Sequence, residues 1–309
     1  MVQVLFLIFA VMEHYKTISE LHRAAGFPAP ENPLLSLVLC EKLGPCSITQ
    51  GVFTGDFYMI AFKKMQAGLV MYGRTPYDHD NGSMMFAKPR QIMEIKDVEL
   101  EEKGFIIYIH EDFLNGHPLH QEIKKYGYFD YETNEALHLS VREEELVWEL
   151  YHKISGEYYN NQDEYSREII LTHIDSILKY SQRYYKRQFL NRTELSGKTV
   201  SKFNALLASY FESGKLKLNG MPNVKQVATQ LNTSPRYLSD LLRQETGKTA
   251  LELIHIFLIT EAKNMLQASE NTISETAYVL GFENPPYFSR LFKKETGISP
   301  NEFRKQFLN

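Results

Sequence analysis

Two hydrophobic rhythms divide the first two thirds of the chain. From about Leu34 to Leu139 apolar residues come in short runs, Phe57 to Phe62, Gly68 to Tyr72, Met84 to Ala87 and Phe105 to His110, separated by Gly, Pro, Asn and Asp. This is the pattern of short strands between turns, and its spacing favours a barrel or sandwich. From Glu143 the interval changes to three and four. Glu143 to Tyr159 and Tyr165 to Gln188 read as helices, the second with Ile170, Ile174, Ile177, Leu178 and Ser181 along one stripe. Such helices either cover their own domain or pair with a second copy. Asn191 to Gly197 is polar and carries a Gly, which sets a boundary near there.

The last third contains a repeat. Val224-Lys-Gln-Val-Ala-Thr-Gln-Leu231 resembles Ile273-Ser-Glu-Thr-Ala-Tyr-Val-Leu280 at an offset of 49. Tyr237-Leu-Ser-Asp-Leu-Leu-Arg-Gln-Glu-Thr-Gly247 resembles Tyr287-Phe-Ser-Arg-Leu-Phe-Lys-Lys-Glu-Thr-Gly297 at an offset of 50. The one-residue difference falls in the intervening turn, where an insertion disturbs packing least. Each copy reads as a short helix with small Ala228 or Ala277 where another helix must approach, a turn, and a second helix. Gly281 ends the first helix of the second copy, where a left-handed backbone costs Gly little. Pro235 and Pro286 stand near the starts of the second helices, where a missing N–H does no harm. Leu238, Leu241 and Leu242, like Phe288, Leu291 and Phe292, form the inward face, and Gly247 and Gly297 stop the helices. Leu251 to Gln267 is a longer amphipathic helix that joins the copies and fixes their separation. Apolar periodicity alone also fits a helical bundle that binds nothing. Spacing, duplication and turn chemistry together favour two helix-turn-helix units.

A length of 309 residues suggests two domains, and 43% hydrophobic with 23% charged residues implies a folded chain. Two cysteines, Cys40 and Cys46, make no disulfide framework, so a reducing, cytoplasmic compartment is expected. The apolar run Val2 to Met12, about eleven residues, is too short to span a bilayer and has no basic flank, so neither membrane insertion nor export is expected. Met12 precedes Glu-His-Tyr-Lys and is an alternative start. A formal net charge of −4 argues against a nucleic-acid partner. Its distribution reverses that argument. Acids crowd the middle (Glu94, Glu99, Glu101, Glu102 and Glu143 to Glu145), whereas Lys179, Arg183, Lys186, Arg187, Arg192, Lys198, Lys202, Lys215 and Lys217 form a basic stretch.

The segment Leu280-Gly-Phe-Glu-Asn-Pro-Pro-Tyr-Phe-Ser-Arg-Leu-Phe-Lys-Lys-Glu-Thr-Gly-Ile-Ser-Pro-Asn-Glu-Phe-Arg, within Ile273 to Gln306, resembles the signature of AraC-type transcription regulators, and the likeness covers roughly the last hundred residues. The resemblance implies a seven-helix DNA-binding domain whose two recognition helices enter successive major-groove segments on one face of the duplex. It also implies a cupin-like sensor and dimerisation domain before it. On this basis the chain is expected to be α+β: residues 1–33 an arm, 34–190 a cupin-like β-barrel with a helical dimerisation segment at 143–190, and 198–309 an all-α domain with helix-turn-helix units at about 224–247 and 273–297.

Matching the family motif places Arg236, Ser239, Asp240 and Arg243 of the first recognition helix, and Pro285, Pro286, Tyr287, Ser289 and Arg290 of the second, toward bases. Arginine suits guanine best, so Arg236 and Arg290 should matter more than either Ser. Asn284, Thr249, Lys293 and Lys294 are candidates for phosphate, which fixes register without reading sequence. Two departures stand out. Asp240 puts an anion where DNA approaches, so it either accepts from a cytosine amino group or orients Arg236 or Arg243. Pro285 and Pro286 offer no donors, so the second unit positions more than it reads.

In the first domain, Gly82-Ser-Met-Met-Phe-Ala-Lys-Pro and Gly104-Phe-Ile-Ile-Tyr-Ile-His-Glu-Asp-Phe-Leu114 resemble barrel strands of the family's sensor domain. Tyr58, Tyr72, Phe86 and Tyr108, with Tyr77 and Phe113, either line an effector pocket or form plain core. A metal-dependent cupin needs closely spaced His and carboxylate ligands on facing strands. Only Asp78-His79-Asp80 comes close, and His117 and His120 flank Pro118 without two further ligands, so no metal or cofactor is expected. Three readings follow: a ligand-responsive regulator, a constitutive DNA binder whose first domain only dimerises, and a metal-dependent enzyme fused to a DNA module. The first is the expected one, a non-enzymatic activator acting as a homodimer on double-stranded DNA with RNA polymerase as partner and a small molecule as effector.

Overall fold

Short apolar runs pair into two sheets in the first unit of this computed structural model, which describes residues 13–42, 47–63, 82–99, 103–131, 135–161, 163–191, 193–268 and 271–306. The chain divides into residues 1–188 and 189–309. In the first unit β1 (Glu13–Tyr15) and α1 (Ile18–Ala25) precede β2 (Leu35–Leu39), β3 (Ser47–Gly55), β4 (Phe57–Lys63), β5 (Ser83–Ala87), β6 (Met93–Glu99) and β7 (Gly104–His110). Then follow α2 (Leu119–Glu122), β8 (Leu137–His138), α3 (Val141–Tyr158) and α4 (Ser166–Asn191). One sheet has the order β2-β7-β4-β5-β8, all antiparallel. The other is β1-β3-β6, with β1 parallel to β3.

The central strands β4 and β7 are buried along almost their whole length, so both faces of the larger sheet are covered. On one face Val38, Phe57, Met59, Ala61, Ile106 and Tyr108 pack with Ile18 and Leu21 of α1. On the other, Phe105 stacks on Tyr151 of α3 at 4.2 Å and Phe62 meets Trp148 edge-on at 5.6 Å. The sheet is therefore a filled layer. The expected closed barrel is not observed, because among the described residues the two sheets remain separate and their edge strands do not pair. Part of the expected arm is also a packed element: Thr17 and Glu20 form a capping box that starts α1, whose Ile18 and Leu21 enter the core. Val2 to Met12, Cys46 and the expected strand Gly68 to Tyr72 lie outside the described residues.

The second unit is helical: α5 (Thr193–Glu212), α6 (Lys215–Asn219), α7 (Val224–Gln230), α8 (Pro235–Thr246), α9 (Ala250–Ala268), α10 (Ile273–Val279), α11 (Pro285–Thr296) and α12 (Pro300–Lys305). Eight segments stand where the resemblance implies seven, because Gly214 takes a left-handed φ of 69° and separates α5 from α6. Gly197, in the stretch near which the boundary was expected, lies inside α5, and the chain divides a few residues earlier, between 188 and 189. One apolar core unites the unit. It joins Phe203 and Leu207 of α5, Leu238 and Leu242 of α8, Ile254, Leu258 and Ala262 of α9, and Phe288 and Phe292 of α11. The described helices include none long and apolar enough to cross a membrane.

Candidate nucleic-acid interface

The two copies of the repeat are built by the same local rules. Asn223 with Gln226, and Thr272 with Glu275, form capping boxes that start α7 and α10. Ala228 and Ala277 are fully buried in the shared core. A left-handed residue then turns the chain: Asn232 at φ 55° in the first copy, Gly281 at φ 78° in the second. Next, the Thr233 N–H donates to the Ala228 carbonyl at 3.0 Å and the Phe282 N–H to the Ala277 carbonyl at 3.0 Å, so these residues correspond at the offset of 49. Ser234 and Asn284 cap α8 and α11 by accepting from the N–H groups of Tyr237 and Tyr287, both at 3.1 Å, and correspond at 50. The extra residue of the second turn is therefore Glu283, which is exposed. Sequence reasoning located the insertion through the change of offset but not the residue.

Burial fixes which face of each second helix is free. Leu238, Leu241 and Leu242 are buried, as are Phe288, Leu291 and Phe292. The outward face of α8 carries exposed Arg236 and Arg243 with half-buried Ser239 and Asp240. Asp240 Oδ2 lies 2.9 Å from Arg236 Nε, so of the roles open to it in the sequence, orienting Arg236 is the one this geometry favours. The outward face of α11 carries exposed Pro286, Tyr287, Arg290, Lys293 and Lys294, with Pro285 and Ser289 partly covered. Two phosphate candidates already have partners. Asn284 is the cap of α11, and Thr249 donates both its N–H and its hydroxyl to Glu252 at the start of α9, at 2.7 and 2.8 Å.

The helix starts differ in charge. A carboxylate stands in the first turn of α9, α10 and α12, namely Glu252, Glu275 and Glu302, and each bonds its own cap. Those bonds hold the three carboxyls below their usual range. In contrast, α8 and α11 begin with Pro and have no acid in the first turn. Like α7 they carry no first-turn carboxylate, which leaves their N-terminal partial positive charge able to accept an anion such as phosphate. Helix α9, of 19 residues, is about 28 Å long and packs against α8, α10, α11 and α12.

The tyrosine set of the first unit is not brought together. Tyr58 and Phe86 both meet Phe129 edge-on, at 5.4 and 5.6 Å. Tyr108 lies in the α1-side core against Phe57, at 5.4 Å, on the opposite face of the sheet. All three are buried, and burial pushes the Tyr58 and Tyr108 hydroxyls up. Phe113 is buried beneath the Arg167 guanidinium, and Tyr72 and Tyr77 fall outside the described residues, as do Asp78, His79 and Asp80. His117 uses Nε2 toward Glu168 at 3.2 Å and Nδ1 to accept from the Leu119 N–H at 3.1 Å, while His120 faces Lys124. No cluster of three or more metal-type side chains occurs among the described residues.

Residues 227–306 match the helix-turn-helix domain family, and the chain carries at its C-terminal end a helix-turn-helix domain of the AraC type. The chain is 35% identical over 82 residues to an uncharacterized HTH-type transcriptional regulator, YisR, of Bacillus subtilis, covering 26% of this chain and 29% of that protein. It is 37% identical over 73 residues to the HTH-type transcriptional activator RhaR of Yersinia pseudotuberculosis, covering 24% of this chain and 25% of that protein. Less than a third of either relative's length is thus covered. Among solved structures, the C-terminal domain of AraT, a response regulator from Geobacillus stearothermophilus, is 30% identical over 32% of this chain and 84% of its own, with a TM-score of 0.28. Apo ToxT from Vibrio cholerae is 14% identical and covers 90% of this chain and 99% of its own, with a TM-score of 0.29.

Proposed function

We propose that this protein is a cytoplasmic transcription regulator that reads double-stranded DNA with α8 and α11. The observation carrying this reading is the pairing of two capped, acid-free helix starts with outward arginines, Arg236 and Arg243 on one helix and Arg290 on the other, mounted on one core. The length of α9 is of the order of one duplex turn, ~34 Å, which suits two recognition helices entering successive major-groove segments. Arg236, Ser239, Asp240 and Arg243 would face bases in one segment, and Pro285, Pro286, Tyr287, Ser289 and Arg290 in the next, with Lys293 and Lys294 on phosphate. Likeness to a protein named a transcriptional activator supports activation, with RNA polymerase as the further partner.

The finer reading is a homodimer on paired half-sites, domains 1–33, 34–190 and 198–309 keeping the roles expected of them, and a small molecule biasing two conformations of different DNA affinity. A constitutive binder whose first unit only dimerises is the second reading. It is favoured by Tyr58, Phe86 and Tyr108 being core on opposite sheet faces. The test is selection of bound sequences from random duplex DNA over a salt series. A compact paired motif whose affinity falls steeply with salt is expected. No enriched motif at low salt with folded protein overturns unaided DNA reading.

A further inference from the structure

The start of α3 and the last turns of α4 enclose a cleft of about 560 Å³ lined by Ser140, Arg142, Glu143, Leu146, Arg183, Tyr184 and Arg187. This is within the 300–1,000 Å³ range of small-molecule sites. Its charge is unbalanced. Three guanidiniums face one carboxylate, and that carboxylate is engaged twice: Glu143 Oε2 accepts from the Ser140 N–H at 2.8 Å and lies 2.9 Å from Arg187 Nη2. Arg187 also donates to the His138 carbonyl at 2.7 Å, and its Nε is buried without a hydrogen-bond partner. Arg142 and Arg183 are exposed at the rim.

The placement of these cations is unfavourable in itself. Arg142 sits in the first turn of α3, where the helix macrodipole repels a cation. Arg183 and Arg187, four apart on α4, repel each other. Arg183, Tyr184 and Arg187 line the same cleft, and the Tyr184 hydroxyl is pushed up by desolvation and by Glu143, with Arg183 and Arg187 pulling against that rise. An anion seated there would relieve both repulsions, while Leu146 and Tyr184 offer it an apolar wall.

We propose that this cleft binds a small organic dianion with an apolar body, of the phosphate monoester type. Forked guanidiniums match phosphate geometry bidentately, which a single ammonium does not. The site lies wholly in residues 140–187 and does not rest on the DNA reading.

The test is calorimetric titration of the full chain with phenyl phosphate, with inorganic phosphate as the anion lacking an apolar body, and with benzyl alcohol as an uncharged aromatic of similar size. Saturable binding of phenyl phosphate, weaker binding of inorganic phosphate and none of the alcohol are expected. Arg142→Ala with Arg183→Ala, both rim residues, should weaken phenyl phosphate by about tenfold or more without lowering the thermal transition. Arg183→Lys should restore charge but only part of the affinity. Equal binding of benzyl alcohol, undiminished binding by the double alanine variant, or no binding of phenyl phosphate to the folded chain each overturns the proposal.

Discussion

In the first helix-turn-helix unit the left-handed turn residue is Asn232, exposed to solvent; in the second it is Gly281, pressed against the chain before α7. A Cβ on Gly281 would lie 2.7 Å from the Gly220 carbonyl carbon and the Met221 nitrogen, and 2.9 Å from the Leu216 oxygen. The same backbone requirement is thus met by two residues for different reasons. Asn serves where only φ matters, and Gly is required where φ and close packing coincide. The outward faces diverge likewise: α8 offers two arginines, one steered by an acid, and α11 two prolines, a tyrosine and one arginine. A shared core therefore holds two units whose turns and polar faces answer to separate constraints.

The largest effect should come from the part the units share. Phe288→Ala is expected to cost about 3–5 kcal/mol, and amide protection should fall in α7 and α8 as well as in α10 to α12. Loss confined to α10 to α12 would mean two cores, not one. Next comes the turn. Gly281→Ala should cost about 3 kcal/mol, combining left-handed strain with overpacking, against about 1 kcal/mol for Asn232→Ala. Equal losses in urea titrations would erase the distinction drawn between the turns.

The recognition faces should differ in what they lose. Arg236→Ala and Arg290→Ala each should remove roughly 1–3 kcal/mol of discrimination at one base position, whereas Lys293→Ala should weaken all sequences alike. An unchanged ranking of mismatched sites for Arg290→Ala would leave α11 as a positioning element only. The smallest contrast is between Glu245 and its counterpart Glu295. Glu245 has a buried Oε1 without a partner and a carboxyl raised by desolvation, while Glu295 is exposed. A raised carboxyl leaves stability intact below its unfolded value, 4.5, and costs it as pH rises through the folded value. Glu245→Gln should therefore raise the Tm slightly at neutral pH, lose that advantage below pH 4.5, and have no equivalent in Glu295→Gln.

Much of the second unit was legible because helix signals are local. The expected helix Leu251 to Gln267 is observed as Ala250–Ala268, and the expected stops at Gly247 and Gly297 are left-handed caps. Thr249-Ala-Leu-Glu252 is itself a capping-box sequence, so the commitment of Thr249 to α9 was readable, as was Asn284 before Pro285. The polar stretch at 191–197, read as the neighbourhood of a domain boundary, stands just after the division between residues 188 and 189, although the chain there runs through the end of α4 and the start of α5. In the first unit the runs Phe57 to Phe62, Met84 to Ala87 and Phe105 to His110 are observed as β4, β5 and β7, whereas β2, β3 and β6 were not singled out and the faces of the strands were not readable. Tyr58 and Tyr108 lie on adjacent antiparallel strands, yet Tyr108 is opposite Met59, and this one-step register puts the two rings on opposite sides. Runs buried on both faces carry no alternation from which that register could be inferred.

Because the second turn contains Glu283 and needs glycine at 281, the two halves of the repeat are not interchangeable. A recombination that copied the first half over the second would bring Asn232 against Gly220 and shorten the turn by a residue, straining the fold it entered. Such a copy would cost stability on structural grounds alone. The second helix of each copy, α8 and α11, can then accumulate changes of its own without being overwritten by its twin, which is the condition under which one duplicated motif acquires two different outward faces.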